Sequence, residues 1–209
     1  MTIVGIDPGH HGAIVSIVAT DEASGCFYRI QDMPIKDIKV SKKIRSDYDL
    51  NAIEKLINCW VLENAIVFIE KAQPKPPPFG KRFGLATSSI SNFQSGYCRG
   101  LFRMGLKVAN VRCIEVLPKE WQKHFGIVKP KDKEQRKLYD TKKESYKVAL
   151  KLFPKAELTT PVKEFKTGRR VGGKIRDGRC DALCMCEYGR SFLEKEAENS
   201  PKKEEVEKV

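Results

Sequence analysis

No stretch of this sequence approaches the ~20 consecutive apolar residues that a membrane-crossing helix needs, so no such helix is expected. Paired Cys-x-x-Cys units are also missing, which argues against a structural zinc site. The seven cysteines are Cys26, Cys59, Cys98, Cys113, Cys180, Cys184 and Cys186. Their odd number and scattered positions predict free thiols in a reducing, intracellular compartment. No repeat is visible. The opening residues lack the apolar core of a cleavable leader, because Met1 runs straight into Thr2–Ile6, which reads as a first strand. Acidic residues are in the minority, with 27 Asp and Glu against 39 Lys and Arg and a net charge of +12.

What is present is enough for one α/β domain with a sizeable core, since the chain has 209 residues. Residues 1–193 are expected to form that domain, and the charged segment 194–209 a disordered tail. The positive charge is concentrated: residues 119–179 contain 19 Lys and Arg against 8 Asp and Glu. A basic body of this kind suits a polyanionic partner, although charge alone does not separate nucleic-acid binding from a merely solvated surface.

Apolar patterning predicts an opening meander of strands at residues 2–7, 13–18 and 26–30. Residues 36–46 read as a basic loop. A helix capped by Asp47 or Asp49 carries Ile53, Leu56, Ile57 and Trp60 on one face. The apolar run Ala65–Ile69 reads as a buried central strand that stops at Glu70. Pro74–Arg82 is too rich in proline for regular structure. A long helix follows over 85–104, with Leu85, Ser89, Phe93, Tyr97 and Leu101 on one stripe. Gly96 and Gly100 lie beside that stripe, spaced to admit a second helix. A strand over 108–116 leads into a helix begun by Pro118 that contains Trp121 and Phe125. After a Lys-rich connection over 129–143, a helix spans 142–153 and a mobile basic loop 159–174. Asp177 opens a last helix. This order predicts a ribonuclease-H-like fold, a mixed five-stranded sheet flanked by helices.

Four acids stand out. Asp7 and Glu70 each end an apolar strand, so both emerge at a sheet edge from rigid elements. Asp177 and Asp181 are four apart and share a helix face. Carboxylates gathered this closely repel one another unless cations occupy the site. Hard oxygen ligands of this kind suit Mg²⁺ or Mn²⁺, and two such ions can activate water and stabilise a leaving oxygen. Plainer roles stay open: Asp177 as a helix cap, Asp7 as a turn residue before Pro8 and Gly9. His10 and His11 are read as turn residues.

The segment Ile3-Val4-Gly5-Ile6-Asp7-Pro8-Gly9 resembles the opening of RuvC-type Holliday-junction resolvases. Ile69-Glu70-Lys71 resembles their second acidic motif, and Leu117-Pro118-Lys119-Glu120-Trp121-Gln122-Lys123 their P-x-x-W-K segment. Asp177-Gly178-Arg179-Cys180-Asp181-Ala182-Leu183 is similar to the D-G-R-A-D-A-L ending of phage-type members. The four motifs occur in the family's order across residues 1–190. The resemblance implies a Mg²⁺-dependent endonuclease (Mn²⁺ substituting) that resolves four-way DNA junctions by paired nicks. It implies catalytic, metal-binding Asp7, Glu70, Asp177 and Asp181, a homodimer built on the long helix, and a location wherever the DNA resides. Phe79 or Phe83 is the candidate for an aromatic wedge, against simple loop packing. Lys119, Lys123, Lys142 and Lys143 are candidate phosphate contacts. The four-residue spacing of Asp177 and Asp181 departs from the three of many bacterial members, which makes Asp181 the firmer assignment. The Pro-Pro-Pro run, the basic insertion over 155–174 and the tail leave substrate preference open.

Three rival readings remain. A nuclease of the same fold that cuts RNA–DNA hybrids or other branched DNA would use the same acids without needing a dimer. A non-catalytic DNA-binding protein would have a broken acidic set, and none is visible. An actin-like or sugar-kinase-like ATPase would need a second large domain.

Overall fold

The computed structural model describes residues 1–18, 27–40, 43–71, 85–164 and 170–199. Its centre is a five-stranded sheet of β1 (Thr2–Asp7), β2 (Ala13–Val18), β3 (Phe27–Asp32), β6 (Ile66–Glu70) and β7 (Arg112–Val116), in the order β3-β2-β1-β6-β7. The first three strands form an antiparallel meander, while β6 and β7 run parallel to β1. This is the mixed five-stranded sheet flanked by helices that the pattern predicted. Helices α1 (Leu50–Leu62) and α2 (Leu85–Val108) cover one face. Helices α3 (Pro118–His124), α5 (Thr141–Leu152) and α6 (Asp177–Asn199) cover the other. A short α4 (Lys133–Leu138) lies between α3 and α5.

Side chains alternate across a strand, and the two cores follow that rule. Val4, Ile6, Val67 and Ile69 point towards α1 and α2. Ile3 and Phe68 point towards α6. Carried forward, the same alternation puts Asp7 and Glu70 on the α6 face. The register pairs Ile6 with Ile69, so the two acids follow at neighbouring positions on adjacent strands, which lie about 4.8 Å apart.

Helix α6 lies almost on the backbone of β1. A Cβ built on Gly5 would stand 2.4 Å from the Ala182 carbonyl and 2.7 Å from the Cys186 amide nitrogen. One built on Gly178 would stand 2.3 Å from the carbonyl of His11. The helix therefore starts over the turn that follows Asp7 and runs back along β1, where the Cys186 thiol donates to the Ile3 carbonyl at 3.0 Å. Arg179 fastens this start to the sheet edge, donating from Nε and Nη2 to the two carboxylate oxygens of Asp32 at 2.6 and 3.0 Å. That pairing holds the Asp32 carboxyl below its ordinary value.

Several expectations need correction. The basic segment 36–46 is not a loop: β4 (Ile35–Val40) and β5 (Lys43–Tyr48) pair as an antiparallel ribbon. Asp49, not Asp47, caps α1 by accepting from the Ala52 amide at 3.3 Å. Along α2 the buried stripe is Cys98, Phe102 and Leu106, while Phe93 and Tyr97 of the expected stripe stay exposed. No described atom would come within 4 Å of a Cβ on Gly96 or Gly100, so no described helix fills that groove. The strand expected from Val108 starts at Arg112, because α2 extends to Val108 and Asn110 turns the chain with φ 55°. The segment 159–174 includes a small ribbon, β8 (Lys163–Glu164) with β9 (Arg170–Val171). Helix α6 continues to Asn199, past the expected domain end, and Glu196 there pairs with Arg112 of β7 at 2.8 Å.

The six described cysteines are free thiols. Among the described residues, no helix is long and apolar enough to cross a membrane.

The contact at Gly5 generates the first prediction. Gly5→Val should lower the unfolding free energy by about 3 kcal/mol, measured by urea denaturation. A variant as stable as the parent would mean that α6 does not pack this closely on β1.

Candidate active site

The four acids meet at one end of the sheet. Asp7 and Glu70 arrive from β1 and β6, and Asp177 and Asp181 from the first turns of α6. Burial pushes the Asp7 carboxyl well above its ordinary value, and the charges of Glu70, Asp181 and Asp177 push it further. The Asp181 carboxyl is pushed up to about 7, by burial first and then by Glu70 and Asp177, with the Ser145 hydroxyl pulling it back. Asp7 and Asp181 therefore each carry the repulsion of neighbouring carboxylates on top of their burial.

Each carboxylate has a distinct setting. Glu70 Oε2 accepts a hydrogen bond from Trp121 Nε1 at 3.1 Å. Trp121 is fully buried, and a buried indole N–H needs an acceptor, so this bond both satisfies the ring and orients the acid. Helix α3 is set for it by Pro118 at its start and by Glu120, which reaches back to the Leu117 amide at 2.7 Å. The sequence places Trp121 in a helix and in the P-x-x-W-K segment but gives it no part in the site. Asp177 is ion-paired with Lys142 Nζ, which raises the lysine's pKa. Lys142 thus stands at the exposed edge of the acidic cluster, where its charge lowers the pKa of both Asp7 and Asp181.

Asp181 Oδ1 is buried without a hydrogen-bond partner. An orphaned buried carboxylate oxygen is costly. Beside three further acids it is what a site for a hard cation requires. The all-oxygen donor set fits Mg²⁺ or Mn²⁺ and not a soft metal. The side chains do not form a finished cage: among the described residues no three His, Cys, Asp or Glu side chains are grouped closely enough to hold one ion.

The remaining expected residues fall differently. Lys119 and Lys123 lie exposed on α3, and Lys143 is exposed on α5 beside Lys142. Phe79 and Phe83 lie outside the described residues. His10 packs edge-on against Tyr48 at 4.8 Å between ring centroids, in keeping with a turn role.

No family model matches the sequence, and no curated protein matches it. Among solved structures the chain is similar to Thermus thermophilus RuvC, at 13% identity and a TM-score of 0.46 over 92% of this chain and 97% of that one. It is similar to T. thermophilus RuvC in complex with a Holliday junction substrate at 13% identity and a TM-score of 0.46, over 94% and 96% of the two chains.

The raised carboxyls set a pH dependence. The Asp181 carboxyl titrates near 7 when folded and near its ordinary 3.8 when unfolded. The folded state therefore binds the proton more tightly, and metal-free protein loses stability as pH rises from about 4 through 7. Urea denaturation in EDTA at pH 5 and 7.5 should show this fall, and Asp181→Asn should flatten it. Rising stability of the parent over that window would mean that the acids are not crowded in this way.

Proposed function

We propose that this chain is a divalent-metal-dependent endodeoxyribonuclease that resolves four-way DNA junctions. The observation that carries the reading is the buried Asp181 Oδ1, without a hydrogen-bond partner, in a carboxyl that lies close enough to Asp7, Glu70 and Asp177 to feel their charge. The four motifs of RuvC type, with the phage-type ending around Asp177 and Asp181, support the same reading.

Asp7, Glu70, Asp177 and Asp181 are the residues that would hold the cations. When bound, divalent ions supply a water of lowered pKa and charge stabilisation for the leaving 3′ oxygen of a phosphodiester. The protein's own part is positional. Trp121 fixes the Glu70 carboxylate, the Ser145 hydroxyl steadies Asp181, and the close seat of α6 on β1 sets the spacing between the two pairs of acids. Lys142 neutralises part of the negative field, and with Lys119, Lys123 and Lys143 it offers positive charge to the phosphates on either side of the cut.

The homodimer belongs to the same proposal. On α2 the open positions Gly96 and Gly100 lie beside Phe93, Tyr97 and Met104, an apolar stripe that stays largely exposed among the described residues although Tyr97 leans on Tyr48 at 5.7 Å between ring centroids. A second copy seated there would create two sites related by a two-fold axis, matched to a junction of nearly the same symmetry.

The test uses labelled four-way junction, Y-fork, linear duplex and RNA–DNA hybrid, with and without Mg²⁺. The expected result is paired, Mg²⁺-dependent nicks confined to the junction. Asp7→Asn should lower the rate at least about a thousandfold with junction affinity unchanged. Cutting of the fork or hybrid alone would keep a nuclease and discard junction resolution. Intact substrates under every condition would overturn the reading.

A further inference from the structure

The β4–β5 ribbon takes no part in the site described above. Its two strands pack broadly only on each other among the described residues. A two-stranded ribbon has too little core to be stable by itself, and this one leaves Ile44 74% and Ile35 43% exposed. Among the described residues its anchors lie at its foot. There the Asp49 amide donates to the Pro34 carbonyl at 3.0 Å, the Met33 amide to Gly12 at 3.0 Å, and the buried Tyr48 hydroxyl to the Gln94 carbonyl at 3.0 Å.

That foot adjoins the acidic site. Gly12 closes the turn that begins after Asp7, and His10 of the same turn packs on Tyr48. His10, Tyr48, Phe93 and Tyr97 line a cleft of about 400 Å³ between the turn, the ribbon and α2. From this foot, six-residue strands rising about 3.3 Å per residue project roughly 20 Å, the length of about six base-pair steps.

The ribbon is positively charged by count. Residues 35–48 contain Lys36, Lys39, Lys42, Lys43 and Arg45 against Asp37 and Asp47. Both acids are engaged within the ribbon: Asp37 accepts from the Ser46 hydroxyl at 2.9 Å and Asp47 from the Tyr48 amide at 2.8 Å. Lys36 sits 3.9 Å from Asp49. Lys39 and Arg45 are exposed. Lys39 pairs in register with Ile44, and Arg45 with Ile38, so the two cations project from opposite faces of the ribbon. A ribbon with cations on both faces is shaped to lie in a groove of a duplex, between its two phosphate backbones.

We infer that the β4–β5 ribbon is a duplex-DNA clamp that grips the arm next to the scissile phosphate, with Lys39 and Arg45 on its backbone phosphates. The inference rests on the nuclease reading above, and the ribbon supplies the substrate grip of that site.

The test is junction binding by Lys39→Gln/Arg45→Gln across a salt series, with Ca²⁺ in place of Mg²⁺ so that binding is read apart from cutting. Lys55→Gln/Lys195→Gln removes the same charge elsewhere on the surface. The ribbon variant should bind at least about tenfold more weakly at 0.1 M salt, with a slope of log affinity against log salt shallower by about two. The control pair should move neither, and circular dichroism with the thermal midpoint should show both variants folded. Equal losses in the two variants would reduce the effect to net charge and overturn the clamp. So would full affinity in the ribbon variant, and a change in sedimentation mass would then assign the ribbon to contact between copies. Failure of the parent protein to bind any DNA would instead overturn the nuclease reading itself.

Discussion

Helix α6 rests on β1 at backbone contact distance, and the rest of the site follows from that seat. Only a glycine at position 5 leaves room for the Ala182 carbonyl and the Cys186 amide, and only a glycine at 178 lets the helix start against the His11 carbonyl. A bulkier residue at either place would lift the helix, and with it Asp177 and Asp181, away from Asp7. The buried side chains of Cys180 and of residues 182–186 fill the layer between helix and sheet, so the position is set by packing as well as by contact. Arg179 adds a lateral stop by clamping Asp32 on the edge strand.

That packing works against electrostatics. Burial and mutual repulsion raise both Asp7 and Asp181, and Asp181 Oδ1 has nothing to accept from. A core with no task would place apolar residues at these positions. Among the described residues Lys142 offsets part of the charge directly, through Asp177. The protein therefore holds a strained arrangement at the end of a well-packed sheet, which the proposed cations would relieve. Trp121 shows how far the scaffold goes to keep it: a fully buried ring spends its one polar atom on orienting Glu70.

Much of this was legible in the sequence, for definite reasons. Asp7 and Glu70 each follow an unbroken apolar run, and strand alternation then puts both on one face. Asp177 and Asp181 declare a shared helix face by their spacing. Other features depend on contacts that spacing does not encode. Residues 35–40 do not alternate cleanly, so the ribbon they form with 43–48 shows only in cross-strand pairs such as Asp37 with Ser46. Along α2 two neighbouring stripes are both apolar, and only the packing of Cys98, Phe102 and Leu106 decides which one is inside. The charged end of α6 reads as a tail, yet the helix continues there and Glu196 finds Arg112 on β7. The bond from Trp121 to Glu70 joins residues 51 apart in sequence.

The most direct measurement is calorimetric titration of the metal-free protein with Mn²⁺ at pH 8, repeated on Asp181→Asn. Saturable binding by the parent, weakened at least about tenfold by the substitution, is the result that a cation site built from these four acids predicts. Absence of binding, or binding untouched by Asp181→Asn, would contradict it.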